Sequence, residues 1–425
     1  MKAVVLAAGE GIRLRPLTLT RPKHLIPFAS KPFLEYLFDS IKAAEINEVL
    51  VVVYYMADRI QKRFGDGSRL GMTLEYAFQE GVRGTADAAR VAEPYVQGDF
   101  LLIYGDLFVT PNVIKQVLGF HKREKPTATM AVTPVEQPER YGVVKLDDSQ
   151  LIEIVEKPRP GEAPTNLANA GIYVLSTEIF EKIRQTRRSV RGEWEITDSL
   201  TLLAQEGRRV LAVQIPSEQW LDVGRPWDLL EASRRILDRL EFKVEGEIEE
   251  GARVTGSTVV TEGSRICSGA YVEGPTFIGE DSNIGPNCFI GPYTSIGKDV
   301  EIGNDCKIQD CIILDKTRIG PFSSIEDSIV GGNCRFGAKT VVANYHPDGT
   351  SIKMIVKDEV VDTGRKRLGA VFGDRIDVGS DTLFMPGVKI GYNSRIGSGV
   401  VVHQDVPSNT CFPSEQKSEE RKVPK

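Results

Sequence analysis

Ile248, Val254, Val260, Ile266, Val272, Ile278, Ile284, Ile290, Ile296, Ile302 and Ile308 recur at every sixth position without a break. After a one-residue slip the beat resumes at Ile313, Ile319 and Ile325. After a second slip it continues at Val330, Phe336 and Val342, and it returns at Phe372, Val378, Phe384, Ile390, Ile396 and Val402. Glycine often follows the apolar residue, as in Ile278-Gly279, Ile284-Gly285 and Ile290-Gly291. A hexapeptide period of this length reads as a parallel β-helix, with one short strand on each face and the apolar residue turned inward. The beat is absent only from Ala343 to Val371, which reads as an excursion from the coil.

The pattern resembles the left-handed β-helix of hexapeptide-repeat proteins, three hexapeptides to a coil. In that family a small side chain also turns inward four positions after the Ile or Val. Cys288, Cys306 and Cys334 hold that place, and Cys288 and Cys306, one coil apart, are expected to stack. A disulfide between them is geometrically conceivable. All six cysteines lie beyond residue 266 with no C-x-x-C, and they read as small core residues of a reducing compartment rather than as zinc ligands.

The first half follows a different grammar. Ala3–Ala8, Val49–Tyr55 and Phe100–Tyr104 are short Val/Leu/Ile-rich runs of the kind that form buried parallel strands. Between the first two, Leu34, Leu37, Phe38 and Ile41 recur at helical spacing. The expectation is an open, mostly parallel, Rossmann-like α/β sheet, whose ligands sit beyond the carboxyl ends of the strands. Pro226–Leu240 reads as a connecting helix. The domains expected are 1–235 for the α/β part, 226–245 for helix and linker, 246–406 for the coil with its excursion at 343–371, and 407–425 for a polar tail. His121 is expected on a helix surface.

The chain has 425 residues and a net charge of −6. No global basic surface argues for nucleic acid, no apolar run is long enough to span a bilayer, and the cytoplasm is the default location. An acidic chain that binds phosphates needs local cations, and Arg13, Arg15, Arg21 and Lys23 supply them. They follow "VVLAAGEG", an apolar strand that breaks at Gly9-Glu10-Gly11. The apolar part is too short for a secretion signal. A dinucleotide fingerprint would need a third glycine where Leu14 stands. A strand turning into a glycine loop, with arginine aimed at an anion, remains.

Seven further marks follow in order: "RPKHLIP", "EGVRGTADA" after Gln79, "YGD" at 104–106, "RYGVV" at 140–144, "EKP" at 156–158, "NAGIY" at 169–173 and "WLDVG" at 220–224. Together with "LAAGEGIRLRPLT" they resemble the sugar-1-phosphate nucleotidylyltransferases over about residues 1–235. The resemblance implies a nucleoside triphosphate and a sugar 1-phosphate as substrates, and Mg²⁺ held by Asp106 and Asp222. It puts the backbone of Leu6, Ala8, Gly9 and Gly11 under the nucleotide, with Arg13 and Lys23 on the triphosphate. Gln79, Gly84 and Thr85 match a pyrimidine-reading group. Lys157 matches the sugar-phosphate ligand. Gly142, Glu156 and Asn169 match groups that hold sugar hydroxyls, and Thr197 in "GEWEITD" joins them. His24 stands where relatives have proline. UTP or dTTP with glucose 1-phosphate is the leading expectation.

Some relatives carry a β-helix that acetylates amino-sugar phosphates from acetyl-CoA. "VDTGRKRLGAVFGD" is close to the archaeal bifunctional type. Aligned on that type's "NLRHDG" pattern, Pro347 takes the place of the base and His346 falls one residue early, with Asn344 and Lys366 as its companions; Asp377 stands where relatives have lysine. Three readings stay open: a transferase with a scaffold β-helix, a bifunctional enzyme, and a non-catalytic regulatory subunit. The last would have lost the loop arginine or the carboxylates, and Arg13, Lys23, Asp106 and Asp222 are all present. The resemblance also implies a homotrimer or a multiple of three, with no nucleic-acid or membrane partner.

Overall fold

The computed structural model describes residues 1–413; of the expected tail, 414–425 lie outside the described residues. The chain divides into two compact units. The first holds 1–11, 21–26 and 32–224; the second holds 12–20, 27–31 and the chain from Arg225 onward.

The first unit is built on nine strands: β1 Ala3–Ala7, β2 Glu48–Val53, β3 Thr73–Phe78, β4 Phe100–Tyr104, β5 Ala128–Pro134, β6 Gly142–Asp147, β7 Gln150–Glu156, β8 Leu167–Leu175 and β9 Val210–Gln214. Their order is β3-β2-β1-β4-β8-β5-β9-β7-β6. The first four pair in parallel, as their unbroken apolar runs require. The sheet as a whole is mixed rather than mostly parallel. β8 inserts antiparallel between β4 and β5, and β6 and β7 form a hairpin turned at Asp148-Ser149. So short a connection allows only antiparallel pairing. Leu34, Leu37, Phe38 and Ile41 of the helix Phe33–Ala43 are buried, as their spacing demands. Outside the main sheet, Leu107–Val109 pairs antiparallel with Trp220–Asp222.

His121 is not on a helix surface. Within Pro111–Glu124 it shares a face with Val113 and Val117, and that face is buried. Its Nδ1 lies 2.9 Å from Thr129 Oγ1 and its Nε2 3.3 Å from Asp99 Oδ2.

The second unit is a parallel β-helix whose strands stack into three ladders. It starts at Lys243 and ends at Phe412, so the coil is longer at both ends than the 246–406 read from the beat. The inward residues stack like on like, for example Ile266, Ile284, Ile302 and Ile319 in one ladder. They form one continuous core with Cys288, Cys306, Cys311 and Cys334. All six cysteines are free thiols; Cys267 is only half-buried and Cys411 is exposed, so these two are not core residues.

The three outer faces differ. On the first, Phe277, Ser295, Ile312, Ile329 and Val371 point outward yet are buried. This unit also contains the helix Pro226–Leu237 and the segments 12–20 and 27–31. The Ala29 N–H donates to Ser295 Oγ (2.9 Å), and Thr20 Oγ1 donates to Asp374 Oδ2 (2.6 Å). The second face carries charge, with Arg318 paired to Glu301 and Asp299. On the third, Val341, Leu383 and Val401 form an outward apolar column, and Val341 and Val401 are exposed. The excursion leaves after Val342 and the coil resumes at Val371; between them Lys353–Val356 and Glu359–Asp362 form a hairpin. Among the described residues no helix is long and apolar enough to cross a membrane.

Candidate active site

β1 ends at Ala7, and the chain turns through Ala8, Gly9, Glu10 and Gly11, the last with φ 67°. The Gly105 N–H donates to Leu6 O (2.9 Å), which fastens the start of this loop to the end of β4. Lys23 lies over the loop: its Nζ would stand 3.5 Å from a Cβ built on Gly9. The same Nζ forms an ion pair with Asp106 Oδ2. Asp222 ends the ribbon strand and pairs with Leu107, while Asp106 lies in the turn just before Leu107, and the Val223 N–H donates to Asp106 O (2.9 Å). Two acidic residues offer oxygen donors alone, the set Mg²⁺ takes together with phosphate oxygens, and the Lys23 ammonium already occupies a cation's place beside Asp106. These residues fit the metal. Arg13 lies half-buried in the helical turn Ile12–Leu14, which belongs to the second unit.

His24, next to Lys23, is fully buried, and neither ring nitrogen has a partner among the described residues. Burial first, and the Lys23 charge second, lower its pKa to about 3, so the ring is neutral throughout the working range.

Gln79 follows β3 and is buried. Its Nε2 donates to Asp87 Oδ2 (2.9 Å) and to Gly84 O (3.3 Å). Gly84 has φ 111°, and a Cβ there would fall 2.4 Å from Trp194 O, so only glycine fits. The loop is sutured to Trp194 by Trp194 N–H to Arg83 O (2.9 Å) and Ala86 N–H to Trp194 O (2.8 Å). Thr85 Oγ1 accepts from the Ile196 N–H (2.9 Å), so the hydroxyl holds this suture.

The third group gathers where β6, β7 and β8 meet. Gly142 lies against Glu156: a Cβ on it would be 2.8 Å from Glu156 Oε2. Lys157 is exposed, with Nζ 3.8 Å from Glu156 Oε1. Asn169 Oδ1 accepts from the Tyr173 hydroxyl (2.9 Å) and the Gly171 N–H (3.2 Å). Thr197 is buried with its hydroxyl oxygen unpartnered among the described residues. Sequence reasoning missed Arg191 and Glu195. Arg191 Nη1 stands 3.1 Å from both Glu156 Oε1 and Glu195 Oε1. Burial, then the Glu156 charge, push the Glu195 carboxyl up to about 7. The only sequence signal was the second acidic residue of "GEWEITD".

In the excursion, Asn344 is buried and its Nδ2 donates to Asp327 Oδ2 (2.6 Å). His346 is half-buried in a turn closed by the Gly349 N–H on its carbonyl (3.0 Å), and Lys366 is exposed. Asp327 and Arg365, whose Nη1 donates to Trp227 O (3.4 Å), carry no motif that would have marked them.

A family model described as nucleotidyl transferase matches residues 2–239, and one described as GMPPB C-terminal domain matches 272–384. The chain is 42% identical over 411 residues to the "Bifunctional protein GlmU" of Methanococcus maripaludis, covering 96% of each chain. It is 35% identical over 415 residues to a "Bifunctional sugar-1-phosphate nucleotidylyltransferase/acetyltransferase" of Sulfurisphaera tokodaii, covering 97% of this chain and all of that one. Among solved structures, a UDP-glucose pyrophosphorylase complexed with UDP-glucose superposes with a TM-score of 0.51 at 26% identity, covering 56% of this chain and 98% of that one.

Proposed function

The chain belongs to the nucleotidyl transferase family, and on that premise we propose that it joins a pyrimidine nucleoside triphosphate, UTP or dTTP, to a sugar 1-phosphate, glucose 1-phosphate first, with release of pyrophosphate. The observation that carries this reading is the Lys23–Asp106 ion pair over the Gly9 loop, with Asp222 paired to Leu107, the residue after Asp106.

The nucleophile is a phosphate oxygen of the sugar 1-phosphate, already ionised at neutral pH, so no side chain has to take a proton. It attacks the α-phosphorus, and the bond to the bridging β-oxygen breaks. What the protein must supply is positioning and charge compensation for two polyanions. Lys23 and Arg13 neutralise the triphosphate and the leaving pyrophosphate, and the Leu6–Gly11 backbone lies under them. Asp106 and Asp222 would hold Mg²⁺, which supplies Lewis-acid polarisation and charge screening when bound. Gln79, with Gly84 and Thr85, reads the base edge. Lys157 binds the sugar phosphate, and Glu156, Asn169, Gly142 and Thr197 orient the sugar.

Pyrophosphate release across a panel of nucleoside triphosphates and sugar 1-phosphates tests the reading. Turnover is expected with UTP or dTTP, and better use of ATP or GTP would overturn it. Asp106→Asn and Asp222→Asn are each expected to lower kcat about a hundredfold or more at saturating Mg²⁺ with the fold intact. Near-normal turnover in either would remove that residue from the metal site.

Full-length similarity to relatives named bifunctional favours a second activity, acetyl transfer from acetyl-CoA to an amino-sugar 1-phosphate at the excursion, with His346 as the base and Asn344 and Lys366 beside it. Thiol release from acetyl-CoA with glucosamine or galactosamine 1-phosphate, wild type against His346→Ala, decides it. The exposed column of Val341 and Val401 supports assembly as a homotrimer through the β-helix.

A further inference from the structure

We propose that Asp87 is a positioning residue for the nucleotide base: it locks the Gln79 amide with its carbonyl oxygen outward, so that the enzyme accepts a base carrying an N3–H donor and rejects cytosine. This rests on the reading that Gln79 faces the base.

The orientation of a glutamine amide is set by its neighbours. Here both neighbours of Gln79 Nε2, the Asp87 carboxylate and the Gly84 carbonyl, are acceptors only. Turning the amide over would bring Oε1 against two acceptors inside a buried site, which is costly where water cannot compensate. Both amide hydrogens are therefore committed, and Oε1 is the atom left for a ligand. Asp87 is itself fixed. It is buried in the first turn of the short helix Thr85–Arg90, and Arg90 Nη2 donates to its other oxygen, Oδ1, at 2.9 Å.

An outward carbonyl accepts from the N3–H of uracil or thymine. Cytosine offers an unprotonated N3 at that place, and two lone pairs would meet. Discrimination thus follows from a carboxylate that never touches the base. Arg90 makes the isosteric substitution informative. In Asp87→Asn the arginine claims the new side chain's oxygen, the new amide NH₂ turns to Gln79, and the Gln79 amide is drawn into the opposite orientation, with its NH₂ outward.

The test is kcat/KM for UTP, dTTP and CTP at fixed glucose 1-phosphate, in wild type, Asp87→Asn, Asp87→Ala and Gln79→Ala, with a thermal midpoint for each. The preference for the better of UTP and dTTP over CTP is expected to fall about tenfold or more in both Asp87 variants, and further in Asp87→Asn than in Asp87→Ala. KM for glucose 1-phosphate stays unchanged, which a loss of fold would not allow. A preference that collapses in Gln79→Ala but survives in the Asp87 variants overturns the positioning role alone. A preference that survives in Gln79→Ala overturns the base reading itself. Should Asp87→Ala fail to fold, an undiminished preference in Asp87→Asn still overturns the proposal.

Discussion

His24 and Glu195 titrate in opposite senses, and each leaves a signature in pH dependence. The folded pKa of His24 is about 3 against 6.5 in the unfolded chain. Between those values the unfolded chain binds the extra proton, so stability is complete above pH 6.5 and is lost as the pH falls. The loss is on the order of 2 kcal/mol at pH 5. His24→Leu is expected to unfold at a higher temperature than wild type at pH 5, with a smaller gain at pH 7.5, because it also removes two unpartnered ring nitrogens. An equal gain at both pH values would refute the linkage. Glu195 behaves in reverse. Its folded pKa of about 7 exceeds the ordinary 4.5, so the folded protein keeps a proton that the unfolded chain releases, and stability declines as the pH rises through that window. The groups facing it are Glu156, Arg191, Glu193 and Lys157. Glu195→Gln is expected to remove an inflection near pH 7 from the kcat/KM profile for the sugar 1-phosphate; a profile superposable on wild type would count against it. None of this was legible one residue at a time. Glu195 and Asp87 look like ordinary helix-start carboxylates, and His121 looked like a surface residue until its buried face was visible.

Within elements, the connecting helix and the β-helix share a charged joint. Arg234 Nε donates to Asp310 Oδ1 (3.0 Å) and its Nη2 also pairs with Asp310, with Asp327 4.0 Å away. Burial above all raises the Asp327 carboxyl to about 6. Asp310 is buried while Arg234 is half-buried, so removing the arginine leaves the carboxylate only partly compensated by water. Arg234→Met is expected to cost about 1–2 kcal/mol, and Arg234→Met with Asp310→Leu to recover most of it. Denaturant unfolding of the three proteins measures this, and additive losses would show that the joint is not coupled. The hexapeptide beat predicted which residues face the coil's core, because a period repeated at every strand needs no tertiary information. The joint was hidden because its members lie scattered in the sequence and meet only when the coil is closed. The hairpin of β6 and β7 was missed for a related reason: apolar content marks a strand, but pairing direction depends on where its neighbour returns.

At the scale of the whole molecule, the division of the chain was only partly readable. The change of grammar near residue 240 is plain in the sequence, yet 12–20 and 27–31 belong with the β-helix unit and are hydrogen-bonded within it. Their covering of one face leaves a charged face and a face with the apolar column. Val341→Glu with Val401→Glu is expected to convert the proposed trimer to monomer by light scattering at micromolar concentration, because like charges would be buried at a shared apolar contact. An unchanged mass would exclude that face from the assembly.

What the sequence determined by itself is whatever is written as a local period or a contiguous motif. It specified the coil and its inward residues, the parallel strands of the first sheet, the glycine loop, and the positions of Asp106 and Asp222 near strand ends. The tertiary structure decided everything that depends on which distant groups become neighbours in a place water cannot reach. There, burial makes each missing or mismatched partner costly. That cost fixes the Gln79 amide through Asp87, neutralises His24, raises Glu195 and ties Asn344 to Asp327.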